Sequence, residues 1–441
     1  MYTCGNRWKS GEEGIMRILN VDISNFKGIT CENFHFEKGF NINIGDNGTG
    51  KTSVLEAISV ALGGFLAGID GITKKHFTND EIRLESELMG EGHYNIRHIT
   101  PICVECDVLI REEDEKPIHW KRQKSSLNAS RTTVEPSDIR KIATELAKDS
   151  KSILPVLSYQ SVGRMWVQKR ERSKSVFKDD YSRTVGYMDC LSEASDSKML
   201  LNWFKSMEMI SWQQDKKIAE YEAVKRAIGR FMSVMNDTFI NRVFYDKRSE
   251  ELVYDTGKEN LPIRLLSAGY QSMIWMVLDI AYRMSVLNPN LMAEVIEKTS
   301  GVVLIDELDL HLHPKWQWRI VEALKTTFPN VQFIATTHSA VILSSCRNEH
   351  IISLGDDKNA TYMKSVYGLT INDILEGLQG SSKMPGSVEK LFVDFYRNIE
   401  NEQYQNAGSI LEQIKAEIGE NNPEVISAKV TLELETLPLE D

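Results

Sequence analysis

The stretch from Gly45 to Thr52, GDNGTGKT, has the residue types and spacing of a phosphate-binding loop. Its glycines allow the backbone to curl tightly, so that several N–H groups point inward at phosphate oxygens. Lys51 can reach the β- and γ-phosphates of ATP, and the Thr52 hydroxyl can hold Mg²⁺. We therefore predict that ATP contacts Gly45, Asn47, Gly48, Thr49, Gly50, Lys51, Thr52 and Ser53.

The neighbours of this loop are the elements that such a site requires. An apolar run from Phe40 to Ile44 precedes it and predicts a strand. A helical pattern follows, and the start of that helix adds partial positive charge near the phosphates. The alternative, a glycine-rich turn that binds nothing, does not account for a strand and a helix in this order. The predicted apolar face of the helix comprises Val54, Leu55, Ile58, Ala61, Leu62 and Phe65.

The segment from Gly301 to Glu307 predicts the second half of the site. Its apolar, mostly β-branched residues form a buried strand that ends in two carboxylates. Asp306 would orient Mg²⁺ through a bound water, and Glu307 would polarise the water that attacks the γ-phosphate. A core strand capped by surface acids is the alternative, which fits one acid better than two. A later apolar run, Val331 to Thr336, delivers His338 at its end.

Between these strands lies the segment Leu266-Ser267-Ala268-Gly269. The order of phosphate loop, LSxG element, acid pair and histidine resembles that of the ATP-binding-cassette (ABC) ATPases, in the RecF/SMC/OLD branch whose heads act in DNA metabolism. The resemblance implies that Ser267 and Gly269 touch the γ-phosphate bound by the other protomer, and that His338 is the switch histidine. The family has glycine where this chain has Ala268. This difference bears on how tightly the signature can contact the γ-phosphate of the other protomer.

The same resemblance assigns roles to other positions. Lys27, in an N-F-K-G element, would approach the nucleotide, and Gln160, at the end of a predicted strand, would be the Q-loop residue that completes the Mg²⁺ shell. His311 and His313 lie in a stretch similar to the E-x-x-L-H-P segment of OLD-like ATPases. They suggest either a metal pair or part of the D-loop at a dimer interface, and the family favours the D-loop.

Alternating strands and helices predict a mainly parallel α/β sheet, and the resemblance implies an ABC-ATPase (P-loop NTPase) head of two lobes. We expect an N-terminal extension at 1–15, lobe I at 16–166, and a linker with a short helical insertion at 167–235. Lobe II is expected at 236–367. An α-helical C-terminal region that binds a partner is expected at 368–441.

Composition limits the partners. The net charge of −11 excludes a protein that coats DNA with its whole surface. Two basic stretches, from Lys169 to Arg183 and from Trp120 to Lys124, are candidate nucleic-acid patches, with solvated loops as the favoured alternative. Cys103 and Cys106 lack a second pair for zinc and favour a strand. No apolar run is long enough to cross a membrane, and unpaired cysteines favour a reducing cytoplasm.

The motifs and domain layout together resemble bacterial anti-phage defence ATPases of the Septu type (PtuA-like), also found beside retrons. The resemblance implies a homodimer or higher homo-oligomer that closes around ATP and Mg²⁺, a separate HNH-type nuclease held by the helical C-terminus, and nucleic acid as the target of the complex. Since the C-terminal region lacks a strand-borne Asp-x-Asp, we expect no intrinsic nuclease. The alternatives are a RecF-like DNA-repair ATPase and a nucleotide-binding scaffold with little turnover.

Overall fold

The structure, a computed structural model, describes residues 14–88, 94–111, 116–165, 182–193, 197–237, 242–363, 366–382 and 384–436. The strands are β1 (Gly14–Phe26), β2 (Ile29–His35), β3 (Phe40–Gly45), β4 (Leu84–Leu88), β5 (Tyr94–His98), β6 (Ile102–Arg111), β7 (Ile118–Lys124), β8 (Thr133–Glu135), β9 (Val156–Gln160), β10 (Arg242–Asp246), β11 (Glu251–Asp255), β12 (Asn260–Pro262), β13 (Gly301–Ile305), β14 (Val331–Thr336), β15 (His350–Leu354) and β16 (Ala360–Met363). The helices are α1 (Lys51–Leu66), α2 (Asp138–Lys148), α3 (Ser197–Gln214), α4 (Ala219–Asn236), α5 (Ala268–Leu287), α6 (Val295–Lys298), α7 (Pro314–Gln317), α8 (Ile320–Thr327), α9 (Ala340–Ser345), α10 (Ile371–Gly377), α11 (Gly386–Glu400), α12 (Tyr404–Ile418) and α13 (Pro423–Glu435).

A mainly parallel sheet carries the motifs. Its strand order is β16-β15-β3-β14-β13-β9, with β16 antiparallel to β15 at one edge. Strands β13 and β14 are buried at every position, because a parallel sheet covered on both faces has no side that faces water. The predicted strands around the phosphate loop, the acid pair and the histidine are confirmed. Since β3, β14 and β13 are parallel neighbours, the segments that follow them meet at one edge of the sheet.

Helix α1 lies between this sheet and a second, antiparallel sheet with the order β2-β1-β6-β7-β8. It contacts β3, β13 and β14 on one side and β1, β6 and β7 on the other. Every residue from Val54 to Leu66 is buried. A helix that is apolar on all sides fits such a position between two sheets. The single apolar face predicted for this helix is therefore too narrow, because α1 has no solvent side.

Helices α3 and α4 form the short hairpin that the sequence predicts between the lobes. Helix α4 packs against α5, α8 and β10. Strands β10, β11 and β12 form a small antiparallel sheet in that order. The turn of its first hairpin, residues 247–250, follows β10 directly. These elements surround α5, which begins at the predicted signature.

The chain divides into two compact units, Met1–Gly368 and Leu369–Asp441. In the second unit α11, α12 and α13 pack around their own apolar core, which includes Phe392, Phe395, Leu411, Ile414 and Val425. The unit is helical throughout its described residues, as the sequence predicts. At the other end of the chain β1 begins at Gly14, two residues before the predicted start of lobe I.

The basic stretch from Trp120 to Lys124 is part of strand β7 and not a loop. Successive side chains of a strand point to opposite faces, and this alternation buries Trp120, Arg122 and Lys124. Lys121, on the other face, forms an ion pair with Glu105 at 3.3 Å. The interpretation of this stretch as a solvated loop or a nucleic-acid patch is therefore wrong.

Of the other basic stretch, only Arg183 is among the described residues, because 166–181 lie outside them. Its guanidinium donates to the carbonyl oxygens of Leu146 at 2.7 Å, Asp149 at 2.6 Å and Ser152 at 2.6 Å. These bonds fasten the C-terminal end of α2. Arg183 thus has a structural role and is not available to a phosphate backbone.

Cys103 and Cys106 lie on β6, as the strand prediction requires. Both are buried, and burial raises the pKa of the Cys103 thiol to about 12. A thiol that resists ionisation is a poor zinc ligand. Among the described residues no helix is both long and apolar enough to cross a bilayer.

Candidate active site

The phosphate loop joins β3 to α1 in a backbone conformation that favours glycine. Gly45 has φ 141° and Gly50 has φ 100°, values that other residues rarely adopt. A Cβ atom on Gly45 would lie 2.4 Å from the carbonyl oxygen of Leu354 on the adjacent strand. The Thr49 hydroxyl donates to the carbonyl oxygen of Asp46 at 2.9 Å and closes the loop on itself. Asn47 and Gly48 are exposed at its tip, and Ser53 is half-buried in the first turn of α1.

Lys51 is held at the centre of the loop. Its Nζ donates to the carbonyl oxygens of Gly45 at 2.8 Å and Asp46 at 2.7 Å. Burial lowers the pKa of this ammonium group, and the carboxylates of Asp46 and Asp306 oppose that shift. A buried ammonium ion requires oxygen atoms around it. Phosphate oxygens in the loop would meet the same requirement with full negative charge.

The acid strand places its first carboxylate against the start of α1. The Thr52 hydroxyl lies 3.1 Å from Oδ1 of Asp306, which is 2% exposed. The Thr336 hydroxyl at the end of β14 donates to the same oxygen at 2.7 Å. A hydroxyl and a carboxylate at this separation are the hard oxygen donors that Mg²⁺ prefers, so the residues present fit this ion. Thr336 was not predicted as a site residue, and its position at the end of an adjacent parallel strand was the available signal.

Glu307 follows with φ 49°, a left-handed backbone conformation that costs free energy in a residue with a side chain. A hydrogen bond helps to hold this conformation, since the N–H group of Glu307 donates to the Thr336 hydroxyl at 2.8 Å. Such conformations concentrate at functional sites.

Asp309 connects the acid strand to the histidine strand and was not predicted. Its Oδ1 accepts hydrogen bonds from the Thr337 hydroxyl at 2.5 Å and from the backbone N–H of His338 at 3.3 Å. His338 itself is exposed. The carboxylate therefore fixes the backbone from which the histidine projects. The signal in the sequence was a third acid two residues after Glu307.

Gln160 ends β9 as predicted, but its side chain faces away from the magnesium donors. Its amide nitrogen donates to Asp279 on α5 at 2.8 Å and to the Ser158 hydroxyl at 2.8 Å. Because side chains alternate along a strand, its neighbours Tyr159 and Ser161 face the cleft beside the phosphate loop instead. The carbonyl oxygen of Gln160 accepts from the Asp306 N–H at 2.9 Å, but its side-chain amide is bound to Asp279 and Ser158, so this arrangement does not support its predicted place in the Mg²⁺ shell.

Lys27 forms an ion pair with Glu56, one turn beyond Thr52 on α1. Glu56, Thr52 and Asp306 line one cleft of about 650 Å³ together with Lys74, Lys75, Tyr159 and residues of the 161–163 and 189–193 segments. Lys27 itself does not line this cleft but pairs with Glu56, which does, so its approach to the nucleotide stays a prediction. Sequence reasoning missed Glu56, which the helical pattern marked only as an acid among apolar residues.

The signature residues line a different pocket. Ser267 is the N-cap of α5, and its side chain makes no capping hydrogen bond there. A Cβ atom on Gly269 would lie 2.5 Å from the carbonyl oxygen of His311, so glycine permits the close approach of these two segments. Ser267 and Gly269 line a pocket of about 630 Å³ with His311, His313, Lys315 and Trp316. This pocket shares no lining residue with the cleft beside the phosphate loop.

Aromatic side chains surround the signature. Tyr270 packs edge-on against Trp316, with ring centres 4.6 Å apart. Its hydroxyl donates to the side chain of Asn236 at 3.3 Å, and Asn236 donates to the Tyr254 hydroxyl at 3.3 Å. Tyr270 is thus joined to α4 and β11.

The two histidines of the predicted D-loop belong to this pocket. The ring of His313 accepts a hydrogen bond from the backbone N–H of Lys315 at 3.2 Å and caps α7. Among the described residues no group of three or more metal-ligating side chains forms a metal site. Both histidines line the pocket beside Gly269, and their D-loop role at a dimer interface stays a prediction.

Comparison with known proteins agrees with these motifs. The family described as AAA domain matches residues 20–235. Retron Vc95 probable ATPase of Vibrio cholerae serotype O1 biovar El Tor is 28% identical, over 76% of this chain and 73% of its own. Septu protein PtuA of Bacillus thuringiensis is 24% identical, over 92% of this chain and 95% of its own.

Among solved structures, the SMC head domain from Thermotoga maritima covers 79% of this chain and 99% of its own, at 16% identity and a TM-score of 0.43. The sequence similarities extend over most of the chain and include both lobes. They confirm the resemblance that the motifs predict. The homologues of this chain include the Septu PtuA and retron ATPases, and together with the AAA domain match they support an ABC-type ATPase.

Proposed function

We propose that the chain binds and hydrolyses ATP with Mg²⁺ and acts as the regulatory ATPase subunit of a bacterial anti-phage defence system. The observation that carries the ATPase proposal is the contact between Thr52 and Asp306, 3.1 Å apart at the ends of two different segments. This contact joins the phosphate loop to the acid pair.

The chain's own residues have distinct parts in this proposal. Lys51 and the loop N–H groups bind and orient the β- and γ-phosphates. Glu307 accepts the proton of the attacking water. His338, held through Asp309, contacts the γ-phosphate from the end of the adjacent strand. Thr52 and Asp306 would hold Mg²⁺, which would supply positive charge against the triphosphate.

We further propose that two copies close around ATP. Ser267 and Gly269 line a pocket separate from the phosphate loop of their own chain. A second copy, placed head to tail, would bring its signature to the γ-phosphate. Binding of ATP then favours the closed dimer and hydrolysis releases it, which makes nucleotide the controller of a two-state assembly.

The defence role rests on the similarity to Septu PtuA and retron ATPases along most of the chain. It supports a separate HNH-type nuclease as the partner that the dimer controls, with nucleic acid as the target of the complex. Leu369–Asp441 forms a compact helical unit with its own core, which is suited to hold such a partner. A RecF-like repair ATPase is the competing function, and a nuclease gene beside this one would favour defence.

The test compares Glu307→Gln with the parent chain and with Lys51→Ala. Removing the general base should slow hydrolysis roughly 100-fold or more while ATP remains bound. The Glu307→Gln chain should therefore accumulate as dimers with ATP and Mg²⁺, seen as a doubled mass in light scattering. Lys51→Ala should weaken ATP binding about 100-fold in calorimetry, since charge-assisted contacts are lost, and should stay monomeric.

Two results would count against this function. Hydrolysis by Glu307→Gln at the parent rate would remove the proposed base. A chain that binds ATP tightly but never turns it over, with or without Glu307, would be the nucleotide-binding scaffold instead.

A further inference from the structure

Trp212, near the end of α3, is 73% exposed, more than any other large apolar side chain of the described residues. Tryptophan is enriched at binding interfaces, because its ring offers a large apolar face together with a polar N–H group. It lies far along the chain from the nucleotide-binding motifs and on the helical hairpin between the lobes. The proposed ATPase activity gives it no role.

The turn between β10 and β11 packs against this side chain. Nζ of Lys247 lies 4.4 Å from the centre of the Trp212 ring. On the same side of α3, Lys205 forms an ion pair with Glu250 of that turn at 2.8 Å. Lys205, Met209 and Trp212 are spaced by four and three residues, which places them on one face of the helix. The turn is therefore fixed along an aromatic and apolar stripe.

Positive charge collects around this stripe. Lys216 and Lys217 follow Trp212 at the end of the helix, and Arg248 follows Lys247 in the turn; all are exposed. Within the described ranges none of Lys216, Lys217, Lys247 and Arg248 forms a salt bridge. Three acids lie nearby: the Asp246 carboxylate accepts the Ser249 hydroxyl at 2.8 Å, Glu250 is paired with Lys205, and exposed Asp215 precedes Lys216. In a chain with a net charge of −11, this is a local cationic surface.

We propose that this surface, defined by Met209, Trp212, Lys216, Lys217, Lys247 and Arg248, binds single-stranded nucleic acid. An exposed indole ring stacks on an unpaired base, and the lysine and arginine side chains neutralise the flanking phosphates. A duplex offers no free base face to the ring. Protein interfaces are depleted of lysine, so a protein partner fits this composition less well. The surface lies outside the ATP site, and the proposal does not require ATP hydrolysis.

The experiment measures binding of fluorescent oligothymidylate and oligouridylate of about 20 nucleotides by anisotropy. Trp212→Ala should weaken binding about tenfold, because one base–aromatic stack is lost. Trp212→Phe should stay within about threefold of the parent, since it keeps a ring. The double variant Lys247→Glu with Arg248→Glu should weaken binding further and reduce the salt dependence by about two charges. The two probes separate DNA from RNA.

Matched controls keep the result interpretable. Ile96→Ala removes another exposed apolar side chain, 64% exposed on β5, and Lys141→Glu with Lys151→Glu makes the same charge change elsewhere. Both should bind like the parent chain. Thermal unfolding and ATP binding of Trp212→Ala should match the parent, because Trp212 is largely outside the core.

Binding that is unchanged in Trp212→Ala would overturn the proposal. So would equal loss in both control variants, which would indicate non-specific attraction. If Trp212→Ala releases a co-purifying protein but keeps its affinity for single strands, the surface is a protein-docking site and the nucleic-acid proposal is wrong.

Discussion

At the scale of single residues, Asp309 illustrates how one carboxylate joins two motifs. It follows the acid pair by two residues, yet its bonds are to Thr337 and His338, which follow the end of β14. Thr337 is fully buried, so its hydroxyl needs this acceptor. The backbone that carries His338 therefore depends on the Asp309 carboxylate.

We expect Asp309→Ala to lower ATP turnover about tenfold, the effect of losing one hydrogen bond of ordinary strength. His338→Ala should lower turnover at least as much. Because Asp309 acts through His338, the double variant should be no slower than His338→Ala alone. Steady-state turnover of the four chains at saturating ATP forms the cycle. Losses that multiply in the double variant would show that Asp309 acts independently of the histidine.

At the scale of elements, the phosphate-loop helix α1 contains an unexpected pair of glycines, Gly63 and Gly64. Glycine within a helix costs about 1 kcal/mol relative to alanine. The antiparallel sheet explains its presence, since a Cβ atom on Gly64 would lie 2.6 Å from the indole nitrogen of Trp120. That nitrogen donates to the carbonyl oxygen of Ala61 at 2.9 Å. The close approach of β7 to α1 therefore requires glycine.

Gly64→Ala should destabilise the head by about 1–3 kcal/mol, although alanine favours helices, because overpacking displaces Trp120. Gly408→Ala is the matched control. Gly408 also lies within a helix, but its added Cβ would meet only Leu432 at 3.9 Å, an ordinary contact. The control should be neutral or stabilising by up to about 1 kcal/mol. Thermal unfolding of both chains decides the matter, and a stabilised Gly64→Ala would contradict the packing argument.

The sequence predicted the elements where the pattern is continuous and local. The strands before the phosphate loop and around the acid pair were recognisable because buried parallel strands are apolar without interruption. Strand β7 was missed because Arg122 and Lys124 are charged, and their burial depends on α1 and on Asn79, which accepts from Lys124. Charge in a sequence does not reveal which face of a strand it occupies.

The candidate site shows the same division between local and distant information. Thr52 and Asp306 meet because parallel strands bring their carboxyl ends to one edge, which the motif order anticipates. The orientation of Gln160 depends on Asp279, 119 residues away on α5. No local pattern encodes that pair. The isolated Trp212 likewise becomes informative only when the fold places Lys247 against it.

In the whole molecule, the division after Gly368 separates the unit that carries the ATP-site motifs from a C-terminal unit of helices. All motifs of the proposed ATP site lie in the first unit. The second unit has an aliphatic row on α13, where Ile426, Val430 and Leu434 are 50%, 47% and 62% exposed. This division predicts that nucleotide binding and partner binding are separable.

A chain truncated after Gly368 should bind ATP with unchanged affinity, within about twofold in calorimetry, because every proposed contact remains. The same truncation should lose the nuclease in co-purification with the neighbouring gene's product. The full-length Lys51→Ala chain is the control, since it should keep the partner's docking unit. Capture of the nuclease by the truncated chain would place the docking site in the head instead.

The β10–β11 hairpin has one end beside Trp212 and the other beside the signature, where Asn236 joins Tyr254 to Tyr270. A nucleic-acid strand bound at the turn and a nucleotide contacted by the signature would therefore lie at opposite ends of the same β-hairpin. The effect is reciprocal: if bound ATP changes the affinity for the nucleic-acid strand by some factor, the bound strand changes the affinity for ATP by the same factor. Where ATP strengthens the binding of a nucleic-acid strand, a molecule that already holds the strand binds ATP more tightly by the same factor.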